Sequence, residues 1–191
     1  LHAGVTACVD HLPHLKTASA AAKTYRQSGF KAGLAPMLHN IRDCDLLYGM
    51  KGIIPKSNSP SPFPSCGEYA EFYKDFIKNF HRPEDRLQVM VGINSPQRAD
   101  EDLLETSSKL AHRYNLPVHC HLLETRWQRL SADHSISPVT KLDRFDLLGE
   151  RTSLAHCIWL REDEMDLIAK RGAITVSNPT SNCFIGSGIY P

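Results

Sequence analysis

The feature that most restricts the fold of this chain is a repeated alternation of short apolar, β-branched runs with amphipathic segments, joined by few residues. "GVTACVDH" (4–11) reads as a strand, and "TASAAAKTYRQSG" (17–29) as an alanine-rich helix closed by Gly29. Strand "FKAGLAPML" (30–38), helix "GEYAEFYKDFIKNF" (67–80), strand "RLQVMVGI" (86–93) and helix "ADEDLLETSSKLAHRYN" (99–115) continue the pattern. Strand "LPVHCHLL" (116–123), a helix around 138–148, strand "RTSLAHCI" (151–158), helix "REDEMDLIAKRG" (161–172) and strand "AITVSN" (173–178) complete it. Only 41–68 breaks the rhythm, because Pro55, Pro60, Pro62 and Pro64 among serines exclude a long regular element.

Strands that alternate with helices across short connections must run parallel, since right-handed crossovers lay helices on the sheet and bury it. The class is therefore α/β. Six strands are visible, against eight in a closed (β/α)8 barrel of about 250 residues. An open doubly wound sheet explains the alternation equally well, but no glycine-rich dinucleotide loop follows any strand. The placement of polar residues favours the barrel. Asp10 and His11 close the first strand, Asn94 the third, His121 the fourth and His156 the fifth, with Ser177 and Asn178 closing the last. In a parallel barrel all these ends face one mouth.

The run "HCHLLET" (119–125) sets His119 and His121 on one face of their strand and Cys120 on the other. His121 lies nearer the carboxyl end and suits a metal ligand, whereas His119, a layer deeper, suits a hydrogen-bonded interior histidine. His156 recurs at the equivalent place one βα unit later. Two neutral imidazoles on neighbouring strands fit Zn²⁺ or another borderline divalent ion, and a catalytic site requires at least one more protein ligand. Glu124, just past the strand, reads equally as a proton-transfer group or as a first-turn carboxylate of a following helix. Asp10, His11 and His14 in "VDHLPH" are candidates for substrate contact or for loop capping, and Asn182 for bracing the last loop.

A formal net charge of +1 gives no footing for nucleic-acid or membrane-surface binding, and the apolar runs fall short of a spanning helix. With no signal-peptide pattern, the expectation is a cytoplasmic protein. The six cysteines, Cys8, Cys44, Cys66, Cys120, Cys157 and Cys183, form no C-x-x-C pair and read as small buried thiols rather than a disulfide framework.

"HCHLLET", "SLAHCIWLREDEMDLIAKRGAITVSNPTSN" and "IGSGIYP" together resemble the amidohydrolase superfamily, in its branch of metal-dependent deaminases and chlorohydrolases. The resemblance runs from "GVTACVDH" to the final proline. It implies a (β/α)8 barrel beside a small β-sandwich, of which residues 1–191 would be strands two to seven. One divalent ion, zinc or alternatively iron, is implied, with His121 and His156 as ligands and Glu124 as proton shuttle. The other implied ligands, a strand-one H-x-H pair and a strand-eight aspartate, have no counterpart here, so the chain is expected to be an internal fragment that is inactive alone. His11, Asn94 and Ser177 are the implied substrate contacts. Asn94 and Ser177 stand where relatives often carry histidines, which points away from adenosine itself and toward an unusual ring. "RLQVMVGIN" has no lysine to bridge a second metal. The implied reaction is hydrolytic deamination of a small aminated nitrogen heterocycle. Dechlorination of such a ring, or a non-catalytic binding role, are the alternatives, and a homo-oligomer is compatible with either.

Overall fold

The computed structural model describes residues 4–46 and 65–191, and within them every run expected to be a strand contains one. The strands are β1 (Ala7–Asp10), β2 (Lys31–Leu34), β3 (Met37–Leu38), β4 (Leu87–Val89), β5 (Val91–Ile93), β6 (Val118–Leu122), β7 (Thr152–His156) and β8 (Ile174–Val176). All neighbouring pairs are parallel, in the orders β1-β2-β4 and β3-β5-β6-β7-β8. β2 with β3, and β4 with β5, are halves of two staves, each interrupted once. The result is an arc of six parallel staves in sequence order, a partial (β/α)8 barrel. Among the described residues β1 and β8 do not pair with one another.

The helices are α1 (Leu15–Ser28), α2 (Asp43–Leu46), α3 (Cys66–Phe80), α4 (Glu101–Arg113), α5 (Arg126–Asp133), α6 (Pro138–Arg144), α7 (Glu162–Arg171) and α8 (Pro179–Phe184). Their ends follow local chemistry. Ser65 and Asp100 accept bonds from the backbone N–H of Glu68 and Leu103, and Gly29 ends α1 at φ 69°, a left-handed turn that glycine adopts without a Cβ penalty. The helix implied after Glu124 is α5, opened by a Thr125–Gln128 capping box. The pattern of apolar residues did not reveal α2, α8, or the 3-10 turns at Pro83–Asp85 and Pro96–Arg98. These are too short for a hydrophobic period to register. Within the stretch expected to be irregular, 41–68, α2 is helical, and 47–64 lie outside the described residues.

The core lies between staves and helices, where Leu34, Leu38, Val89, Leu103, Leu122 and Leu154 are among the side chains removed from solvent. The two interrupted staves share a device. Ala35 and Pro36 bulge toward Gly92 so closely that a Cβ there would stand 2.6 Å from both carbonyl oxygens. Tyr73 on α3, fully buried, fills the gap: its hydroxyl donates to the Pro36 carbonyl at 2.7 Å and accepts the Gly92 N–H at 2.9 Å. One phenol thus satisfies backbone groups that the broken ladder leaves over.

α5, α6 and α7 meet at Glu164, which is 2% exposed. Its carboxylate accepts from Arg129 Nη1 at 2.6 Å, Ser137 Oγ at 2.6 Å and the Arg161 N–H at 2.9 Å. Burial works to raise its pKa, but the bonds from Arg129, Ser137 and Arg161 outweigh that and hold the carboxyl below its ordinary range. Of the thiols, Cys120 and Cys157 are buried as expected, Cys8 and Cys66 half-buried and Cys183 exposed. No helix among the described residues is long and apolar enough to cross a membrane.

Candidate active site

The carboxyl ends of β1, β6, β7 and β8 enclose a cavity of about 430 Å³. It is lined by His11, His119, His121 and His156, together with Ser153, Asn178, Ser181 and apolar neighbours. Register explains the gathering. β6 and β7 pair with His119 opposite Ser153 and His121 opposite Ala155, so the two β6 histidines share the inward face and His156 follows at the next strand end.

The rings touch in series. His11 stacks on His121 at 4.5 Å between centroids and meets His119 edge-on at 4.9 Å, while His121 and His156 stand 5.4 Å apart. Burial dominates their protonation. It pushes His11 down to about 2, helped by His121 and His119, and His119 down to about 4, helped by His121 and His156. Burial also lowers His121, against the opposing pull of the Asn94 carbonyl and Glu124. Neutral imidazoles, each with one lone pair, are therefore what His11, His119 and His121 present at neutral pH.

Hydrogen bonds decide which nitrogen carries that lone pair. His121 Nδ1 donates to the backbone carbonyl of Asn94 at 2.8 Å, and His156 Nδ1 donates to Asn182 Oδ1 at 2.7 Å. In the neutral ring, each therefore keeps Nε2 as the unprotonated atom. The Nε2 of His156 lies 3.4 Å from Glu124 Oε1. Glu124 precedes the N-cap Thr125, so it stands outside α5 rather than in its first turn, and its own N–H is held by Gln128 Oε1 at 2.7 Å. This donor set fits a divalent cation: two histidines whose Nδ1 atoms are tied off, so that Nε2 is the atom free to ligate, with a carboxylate beside His156. Among the described residues no three His, Cys, Asp or Glu side chains form a metal cluster by themselves.

The remaining residues singled out in the sequence are distributed as follows. His11 lines the cavity, with neither ring nitrogen hydrogen-bonded. Asn94 offers the cavity's histidine its carbonyl, while its side chain turns away to Arg98 at 3.1 Å and Met37 at 3.2 Å. Ser177 is exposed and does not line the cavity, because strand alternation gives the inward positions to Val176 and Asn178. Asp10 accepts the Tyr25 hydroxyl at 2.8 Å, and His14 is exposed at the start of α1 with no side-chain cap bond. Asn182, expected to brace a loop, holds His156 instead. Ser153 as the partner of His119, at 2.7 Å, had no signal in the sequence beyond its position one strand over.

The backbone at the mouth is unusual. Leu123 (φ 45°), His156 (φ 74°) and Cys157 (φ 53°) all adopt left-handed conformations without being glycine, at a cost of about 1–2 kcal/mol each. Bonds between the two strand ends hold them, from Cys157 N–H to Leu122 O at 2.9 Å and from Trp159 N–H to Leu123 O at 3.1 Å. The Trp159 indole in turn donates to Ser187 O at 2.8 Å and fastens the last loop.

Known proteins share this framework. A 5'-deoxyadenosine deaminase of Methanothermobacter thermautotrophicus is 38% identical over 118 residues, which are 60% of this chain and 28% of that protein. Among solved structures, guanine deaminase from C. acetobutylicum with bound guanine superposes with a TM-score of 0.81 at 21% identity, over 98% of this chain and 43% of that one. An atrazine chlorohydrolase from Arthrobacter aurescens, complexed with zinc, gives 0.83 at 17% identity, over 98% and 42%. This chain therefore spans less than half the length of each. The profile of the amidohydrolase family matches residues 2–191, and the chain, with its arc of parallel staves and histidines at their carboxyl ends, belongs to that family.

Proposed function

We propose that residues 1–191 carry the histidine and proton-transfer portion of a metal-dependent hydrolase that deaminates a small aminated nitrogen heterocycle. What supports this most is the tying-off of both Nδ1 atoms at His121 and His156, which turns Nε2 of each neighbouring ring into the ligating atom, with Glu124 beside that of His156. In this reading His121 and His156 hold one divalent ion, with zinc the first to test, and further ligands come from a strand-one H-x-H pair and a strand-eight aspartate of the complete protein. When bound, such an ion supplies the positive charge that brings a water's pKa toward ~7.

The chain's own groups do the rest. Glu124 accepts the proton of the attacking water and returns it to the ring nitrogen or the departing amine, so that water adds to an amidine-like carbon and ammonia leaves. His11, half-buried beside His121 with both ring nitrogens enclosed and unbonded, is a neutral donor or acceptor for the heterocycle, and Asn178 and Ser181 add polar groups to the same cavity. A cavity of about 430 Å³ suits a single- or double-ring substrate. The deaminase named among the relatives, at 38% identity, favours a purine-like ring over other classes.

The test is an ammonia-release screen on the full-length protein over aminated purines, pterins, pyrimidines and triazines, beside chlorinated analogues and N-acyl amino acids. Ammonia from one or more of the rings is the expected result. Turnover of acyl compounds alone would sink the reading, and chloride release without ammonia would replace it with dechlorination.

A further inference from the structure

The geometry points to Asn182 as the positioning residue of His156, and we propose that it sets the tautomer through which that histidine binds metal. The inference deepens the functional reading above and rests on it for the identity of the ligand. Asn182 sits in α8, is 2% exposed, and has no local reason to face β7, from which it is separated by 26 residues. Its Oδ1 can only accept, so His156 Nδ1 must carry a proton, and in the neutral ring Nε2 holds the lone pair. The opposite rotamer of the amide would present N–H groups to Nδ1 and force the proton onto Nε2, the nitrogen that faces Glu124 at 3.4 Å.

Two further observations agree. His156 and Cys157 occupy left-handed conformations, so this strand end is held by its surroundings rather than by backbone preference. The turn that carries Asn182 is itself well anchored, with Asn182 N–H bonded to Asn178 O and Ser187 N–H bonded to Asn182 O, both at 2.9 Å. His121 receives the same service from the Asn94 main-chain carbonyl, which no substitution can remove. At His156 the service is performed by a side chain, and so can be deleted.

Two variants of the full-length protein separate this role from mere packing. Asn182→Asp keeps an acceptor at the same place, and Asn182→Leu keeps the volume but removes it. In metal-free, histidine-¹⁵N-labelled protein at about pH 8, where imidazoles of ordinary pKa are neutral, the ¹⁵N spectrum should show His156 protonated at Nδ1 in wild type and Asn182→Asp. In Asn182→Leu it should shift toward the Nε2–H form or a mixture. Zn²⁺ affinity, read by competition with a chromophoric chelator, should fall about 10- to 100-fold in Asn182→Leu and be largely restored in Asn182→Asp. An unchanged tautomer in Asn182→Leu, or an Nε2–H form in wild type, overturns the inference. If Asn182→Leu does not fold, a wild-type Nδ1–H proton coupled through the bond to Asn182, retained in Asn182→Asp, supports the inference, and its absence overturns it. Failure of wild type to bind Zn²⁺ would strike the functional reading instead, while the tautomer measurement still decides the role of Asn182.

Discussion

At the scale of single residues, the division of labour proposed for Glu124 and the histidines makes a sharp prediction. Glu124→Gln preserves the side-chain shape beside His156 but cannot take a proton. Metal content, measured by mass spectrometry, should stay near wild type while turnover falls about 10²-fold or more. His121→Ala and His156→Ala should do the reverse, with metal content lost first. The gathering of the histidines was legible in the sequence, because alternation places His119 and His121 on one face and repeats a histidine one βα unit later. The finer parts were not legible. Nothing in "NPTSN" says that Asn182 reaches His156, since that bond depends on where α8 lands relative to β7. Ser177 and Asn178 were both visible at a strand end, and only the direction of the pleat shows that Asn178 is the one facing the cavity.

At the scale of elements, two joints hold the frame that presents these residues. Tyr73 bridges the interrupted staves, and Tyr73→Phe leaves the buried Gly92 N–H without its partner. A loss of about 1–3 kcal/mol in denaturant unfolding is expected, with little change in the near-native fold. The second joint is Glu164, and its sign can be worked out. Its folded pKa lies below the ordinary value of 4.5, so the folded state releases its proton more readily than the unfolded chain. The contribution is therefore complete above about pH 4.5 and is lost as pH falls through the folded value. Comparing wild type with Glu164→Gln across that range, the stability gap should be wide at neutral pH and narrow in acid. A gap that persists unchanged in acid would mean that charge at Glu164 is not its source. Strand and helix positions were readable from periodicity, whereas these joints were not: Tyr73 looked like one more core aromatic on α3, and the stave break at Pro36 and Met90 was hidden inside continuous apolar runs.

At the scale of the whole molecule, the parallel arc was evident from sequence because each strand and helix agrees locally with the global arrangement. Its outer strands are a different matter, for Val9 on β1 and Ile174 and Val176 on β8 remain 49%, 59% and 37% exposed. Prepared as these 191 residues alone, the protein is expected to self-associate through those two strands. Light scattering should report species larger than the monomer, reduced by Val176→Lys. The anchoring of Trp159 to Ser187 gives the molecule an optical gauge of its own. Of its two tryptophans, Trp127 stands 52% exposed on the rim of α5, whereas Trp159 is half-buried and fixed three residues beyond His156. Emission from Trp159, isolated by Trp127→Phe, thus registers events at the strand mouth in the same signal that follows unfolding, and no external dye is needed.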